Sequence, residues 1–242
     1  MTKIRIQKTL SQAGVASRRT VEQMILDGRI TVNGQLVTTL PCFVDPACDD
    51  IRVDSRPVRK RPSEKLYFLL NKPRGVVCTQ QDPQGRPRAV DLVAEGGRVY
   101  CAGRLDVDST GLVLLTNDGE LTQRLTHPRY GVSKTYLVEI EGRPEEHLLS
   151  RLRAGVFVGG RRTGRADVKV LRSGPTRSLL EIRIAEARNR EVRSLLHKLG
   201  HSVLKLKRTA IGPLTGKGLK IGHYRPLSAR EVQRLRQGVG GD

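Results

Sequence analysis

GRLDVDSTGLVLLTNDGELTQRLTHP, residues 103–128, reads as a loop, a strand and a helix in direct succession. Residues 112–115 are an unbroken apolar run bounded by turn residues, the pattern of a strand buried on both faces. Ser109-Thr110-Gly111 turns into this run, and Asn117-Asp118-Gly119 turns out of it into a helix carrying Leu121 and Leu125. Asp106 stands just before the strand in Arg104-Leu105-Asp106, so its carboxylate is presented by a loop that a rigid element holds, a frequent place for catalytic groups. On residue chemistry alone, Asp106 and Asp108 suit turn formation or pairing with a neighbouring arginine equally well.

Outward from this stretch, β-rich runs at 67–70, 134–140 and 179–184 alternate with helical segments in a mixed order. That order predicts an α+β domain over residues 66–242, built on a largely antiparallel sheet flanked by helices. Neither GxxxxGK[ST] nor a strand-linked GxGxxG phosphate loop occurs. Residues 1–54 form a separate small unit. Ser17 is placed to cap a helix with Val21, Met24 and Ile25 on one side, and Asn33-Gly34 is a strong hairpin turn signal between Ile30, Val32 and Leu36, Val37. Between the two, SRPVRKRPSEK at 55–65 has prolines and basic residues without apolar periodicity and reads as a linker.

Composition restricts the function further. In 242 residues, 44 Lys and Arg face 24 Asp and Glu, a net charge of +20. Neutralising phosphates with such a surface releases condensed counterions, which favours a nucleic-acid partner. An anionic membrane is disfavoured, because the chain has no basic amphipathic helix, no lipidation signal and no long apolar run. The N-terminal MTKIRIQKTL lacks the features of a secretory signal, so a cytoplasmic location is expected. The four cysteines, Cys42, Cys48, Cys78 and Cys101, form no CxxC pair and are expected as reduced thiols. The histidines show no metal-ligand spacing, so no metal is expected.

Two resemblances sharpen this reading. KTLSQAGVASRRTVEQMILDGRITVNGQLV, residues 8–37, resembles the small alpha-L RNA-binding domain first described in a ribosomal protein of the small subunit. It leaves Arg18, Arg19 and Arg29 for phosphates, contacts that position rather than specify. NKPRGVVCT at 71–79, the 103–119 segment, HPRYGVSKTYLVEI at 127–140, ARNREVRSLLHKLGH at 187–201 and KRTAIGPLTGKGLKIGHYRPL at 207–227 together resemble the RsuA/RluB group of bacterial pseudouridine synthases, closest to its large-subunit type.

This second resemblance implies an enzyme without cofactor that detaches uracil from its ribose and reattaches it through a ring carbon, in ribosomal RNA or a pre-ribosomal particle, working as a monomer. It implies that Asp106 is the essential carboxylate, that Tyr136 lies against the target base and that Arg193 pairs with Asp106. A planar guanidinium suits that last task, since it balances the carboxylate charge and fixes its direction. It further implies a flipped-out target nucleotide with Arg104 supporting the gap, and RNA contacts from Asn71, Lys72, Arg74, Lys134, Arg188 and Arg190. Glu191 and Ser194 depart from the family pattern, which has an amide and a basic residue there. The change removes donors and adds repulsion beside RNA, so it bears on substrate preference. The alternatives are a non-catalytic ribosome-assembly factor with the same fold, the same reaction on small-subunit RNA or transfer RNA, and a DNA-binding protein. The last lacks a recognition-helix motif.

Overall fold

The computed structural model describes residues 3–58, 64–95, 97–158, 161–162, 164–185 and 191–237. The chain forms two compact units, Met1–Lys65 and Leu66–Asp242.

In the small unit, Ser17 caps the helix Arg18–Leu26 by accepting the Thr20 amide at 3.1 Å, which satisfies one of the donors that a helix start leaves unpaired. Val21, Met24 and Ile25 then point together into a core shared with Ile6 and Leu10 of the helix Ile6–Gln12. The strands Ile30–Val32 and Gln35–Leu36 pair through Asn33 and Gly34, at φ 51° and 79°. Two consecutive positive φ values match the right-handed twist of the flanking strands, which is why Asn-Gly suits the turn. The sheet order is Gln35–Leu36, Ile30–Val32, Ile51–Val53, Arg56–Pro57. The last of these strands corrects the expected linker. Arg56 pairs with Val53, the Val58 amide donates to the Ile51 carbonyl at 2.8 Å, and Val58 packs against the core. Residues 56–58 therefore close the small unit, and 59–63 lie outside the described residues.

The large unit is α+β. Among the described residues its sheet runs Ala166–Arg172, Arg177–Ile184, Lys134–Glu141, Val203–Ile211, Thr110–Thr116, Tyr67–Lys72, Tyr224–Pro226, with Leu214–Thr215 and Tyr100–Ala102 added at the side. Every pairing is antiparallel except that of Val203–Ile211 with Thr110–Thr116. That parallel contact needs a glycine. Gly111 sits at φ 107°, and a Cβ there would lie 2.2 Å from the Arg208 carbonyl oxygen.

Alternation along the strands divides the interior into two layers. Phe68, Leu70, Val113, Leu115, Tyr136, Val138 and Ile140 face one layer, completed by Leu148 and Leu152 of the helix Glu146–Ala154 and by Val192, Leu195 and Leu196 of the helix Glu191–Lys198. Leu69, Leu112 and Leu114 face the other, with Leu121 and Leu125 of the helix Gly119–Thr126 and Leu235 of the helix Ala229–Gln237. Thr110–Thr116 is thus buried on both faces, which is why its sequence runs apolar without alternation. The loop that carries Asp106 enters this strand directly, so the most deeply held strand of the unit positions the carboxylate.

Candidate active site

Asp106 lies in the segment between Tyr100–Ala102 and Thr110–Thr116. Its carbonyl accepts the Ser109 amide at 3.1 Å, a turn that leads into the strand, and Ser109 itself is fully buried. Leu105 plugs into the first apolar layer, and the Val107 carbonyl accepts the Gly75 amide at 2.8 Å. The carboxylate is therefore held by neighbours on both sides while its side chain stays 17% exposed. Arg193, on the helix Glu191–Lys198, brings Nε to 3.9 Å from Asp106 Oδ2, and its Nη1 donates to the Val203 carbonyl at 3.1 Å. The first distance is that of an ion pair without a direct hydrogen bond, and the second anchors the guanidinium to the sheet. Tyr136 is buried at 6% exposure in the same apolar layer as Leu105 and Val192. The pairing of its strand with Val203–Ile211 slips at this point: Thr135 faces Ala210 and Tyr136 faces Arg208, leaving Thr209 as an extra residue. Such bulges re-aim side chains at functional sites. Asp106, Tyr136 and Arg193 thus come from a loop, a strand and a helix: Arg193 approaches Asp106, and Tyr136 shares its apolar layer with the neighbouring residues Leu105 and Val192.

Other expected contacts divide by exposure. Arg74 is at the surface, 3.5 Å from Asp108, and Arg104 is also exposed, so both stand available beside the loop. Arg18 and Arg19 are exposed in the first turn of their helix, whereas Arg29 grips Asp54 with two hydrogen bonds of 2.8 and 2.6 Å. Arg188 and Arg190 lie outside the described residues.

Three residues expected to contact RNA are buried instead. Lys72 has no exposed surface, and its amine donates to the Pro73 and Val76 carbonyls at 2.9 and 2.8 Å. Asn71 donates to the Leu219 carbonyl at 2.8 Å from a position 4% exposed. Lys134, 6% exposed, donates to the Leu125 carbonyl at 2.9 Å, where a cation also meets the negative end of the helix Gly119–Thr126. For Asn71 and Lys72 the reason is strand length. Tyr67–Lys72 runs two residues past the apolar part of its sequence; Leu112 and Gly111 pair with its end on one side, and Gly222 and His223 bond to Asn71 on the other. Lys72 consequently braces the 73–76 turn whose Gly75 amide holds Val107. Burial pushes its amine below the usual lysine range, opposed by Cys78, Asp106, Cys101 and Asp108 nearby.

Arg208 escaped the sequence reading. It is 3% exposed, and its Nε donates to the Leu112 carbonyl at 2.6 Å. Its only trace in the sequence is a charge within an alternating strand, which by itself looks like a solvated face.

An anchored carboxylate beside a guanidinium, with an aromatic residue set in the same layer, supplies a nucleophile or a base next to a fixed positive charge. Residues 66–198, which contain all three groups, match the RNA pseudouridylate synthase family model. The chain belongs to this family. It is an RNA pseudouridine synthase, an isomerase, and residues 4–40 match the S4 domain model, the RNA-binding unit expected from the sequence. Its likeness to known synthases extends across both units. It is 42% identical over 235 residues to "Ribosomal large subunit pseudouridine synthase B" of Bacillus subtilis, covering 96% of this chain and 95% of the relative. A protein of the same description from Pseudomonas aeruginosa is 39% identical, covering 98% of this chain and 62% of that longer relative. A crystal structure of a pseudouridylate synthase superposes with a TM-score of 0.70 at 30% identity, covering 96% of this chain and 99% of that one. These matches, which span nearly the whole of this chain, favour the synthase over the non-catalytic and DNA-binding alternatives. Among the described residues, no helix is long and apolar enough to cross a membrane.

Proposed function

We propose that this synthase converts a uridine of large-subunit ribosomal RNA to pseudouridine, with Asp106 as its catalytic group, Tyr136 against the target base and Arg193 directing the carboxylate. The observation that carries the site assignment is the 3.9 Å approach of Arg193 Nε to Asp106 Oδ2 on a loop fixed from both sides. The substrate assignment is supported by the relatives described as large-subunit synthases and by the +20 charge of the chain.

The reaction breaks the bond from the ribose to a ring nitrogen and forms one to a ring carbon, and the proton displaced from that carbon is balanced by one gained at the nitrogen. It is redox-neutral. The Asp106 carboxylate serves by attacking the sugar or by taking a ribose proton, and either role needs it ionised and correctly aimed. The base must leave its stack to reach the loop, which costs a few kcal/mol and less in looped RNA. Exposed Arg104 and Arg74 border the loop and supply charge for the displaced strand.

Mapping pseudouridines in ribosomal RNA from cells with and without this protein tests the substrate. Loss of a large-subunit position is expected. Loss confined to small-subunit or transfer RNA would reassign the substrate while leaving the chemistry in place.

The S4 unit has its own core, so its contribution is separable. Deleting residues 1–60 is expected to weaken binding to ribosomal RNA by roughly tenfold at moderate salt and to flatten the plot of log affinity against log salt, because each lost phosphate contact removes about 0.7 to 0.9 from that slope. Filter binding over a salt series reads both quantities. An unchanged slope would mean that Arg18, Arg19 and their neighbours do not touch phosphate.

A further inference from the structure

Beneath the Asp106 loop lies a polar cluster that the chemistry above does not use. Cys78 and Cys101, half-buried, both pack against the first apolar layer. The amide of Leu105, the residue before Asp106, donates to Cys78 Sγ at 3.5 Å. The Cys101 thiol donates to the same sulfur, and the buried Lys72 and Arg208 add positive charge near it. Cys78 is pushed down to about 6, chiefly by the hydrogen bond from Cys101 and against the effect of burial, with the Leu105 amide and the two cations assisting. Cys101 is pushed up by the same hydrogen bond and by burial, and so remains the donor. The sulfur therefore sits among donors and positive charge, and the Leu105 amide is the backbone group that it accepts.

We infer that Cys78 is a positioning residue for the isomerisation: its sulfur fixes the Leu105 amide, and through it the turn that presents the Asp106 carboxylate to the ribose. The inference rests on the reading of Asp106 as the catalytic group. Leu105 is held twice, by its side chain in the apolar layer and by its amide on Cys78, and the second hold fixes the Arg104–Leu105 peptide plane, one link ahead of the peptide that joins Leu105 to Asp106. Loss of that hold shifts the carboxylate without emptying the pocket, and misplacement by a fraction of an ångström is enough to slow a reaction that depends on near-attack geometry.

The test uses the full chain and ribosomal RNA from cells lacking it. Cys78→Ala, Cys78→Val, Cys78→Ser and Asp106→Asn are compared in single-turnover assays at saturating RNA, with RNA affinity measured separately. Cys78→Ala is expected to slow the step by roughly tenfold with affinity within about twofold of wild type. Cys78→Ser retains an acceptor for the Leu105 amide and should recover most of the rate. A residue that merely fills the apolar layer would give the opposite order, because Ala and Val suit such a site better than Ser. Should Cys78→Ala fail to fold, Cys78→Val is read in its place against Cys78→Ser. A serine variant no faster than the apolar variants overturns the inference, as does a wild-type rate in Cys78→Ala beside an inactive Asp106→Asn. Full turnover by Asp106→Asn would instead overturn the catalytic reading itself.

Discussion

Asp106→Asn is expected to lower single-turnover pseudouridine formation by on the order of 10³-fold or more, while RNA affinity stays within about twofold of wild type. The amide keeps the shape of the side chain and one acceptor oxygen, so Leu105 remains in its layer and the Ser109 amide still bonds to the residue 106 carbonyl. What disappears is the negative charge that either route at the sugar requires. The protein should fold normally. Its pair with Arg193 spans 3.9 Å between partly exposed side chains, a type of interaction that contributes at most about 1 kcal/mol, and Arg193 keeps its bond to Val203. A slightly tighter complex with RNA is compatible with this reading, because a carboxylate has been removed near phosphates. Melting curves, filter binding and a single-turnover assay on the same preparation separate these effects. Turnover at the wild-type rate would take Asp106 out of the mechanism.

The parts of this fold that were legible in the sequence are those decided by near neighbours. Ser17 reads as a cap because its partner is three residues away, and Asn33-Gly34 reads as a hairpin because the two-residue turn needs two positive φ values. Strand Thr110–Thr116 is legible because burial on both faces leaves an unbroken apolar run, and Asp106 reads as a loop residue because that strand follows it. The missed features were closed by distant partners. Asn71 is enclosed by Leu219, and its amide bonds to the His223 carbonyl at 3.0 Å, so a strand end looked like an exposed basic turn. Arg56–Pro57 looked like linker because charge and proline outweigh two residues of pairing in any local pattern. Lys72, Lys134 and Arg208 are cations in the interior, against the ordinary distribution of charged residues, and each donates to at least one carbonyl oxygen that faces it only in the folded chain, although Arg208 Nη2 is buried without a hydrogen-bond partner. Of the candidate site, Asp106, Tyr136 and Arg193 were named from a family pattern. The layer that Tyr136 shares with Leu105 and Val192, and the sulfur bonded to the Leu105 amide, emerge only when the sheet is assembled.

Arg193 offers the second large effect, and its variants distinguish a director of the carboxylate from a contact to RNA. Its Nη1 is fixed on the Val203 carbonyl and its Nε faces Asp106, so one planar group spans the gap between the sheet and the loop. Arg193→Met keeps much of the length and an apolar stem, but supplies neither the donor nor the charge. The single-turnover rate is expected to fall by about 10²-fold, the scale of loss for a displaced reacting group. Stability should fall by about 1 kcal/mol, for the hydrogen bond to Val203. Arg193→Lys restores a positive charge without the planar fork, and it should fall between wild type and Met, roughly tenfold slow. Affinity for RNA should change far less than rate in both, because a side chain 26% exposed and engaged on two sides has little left to offer a phosphate. If Arg193→Met instead turned over normally at saturating RNA but bound it poorly, the guanidinium would be a phosphate contact, and the approach to Asp106 would have no part in the chemistry.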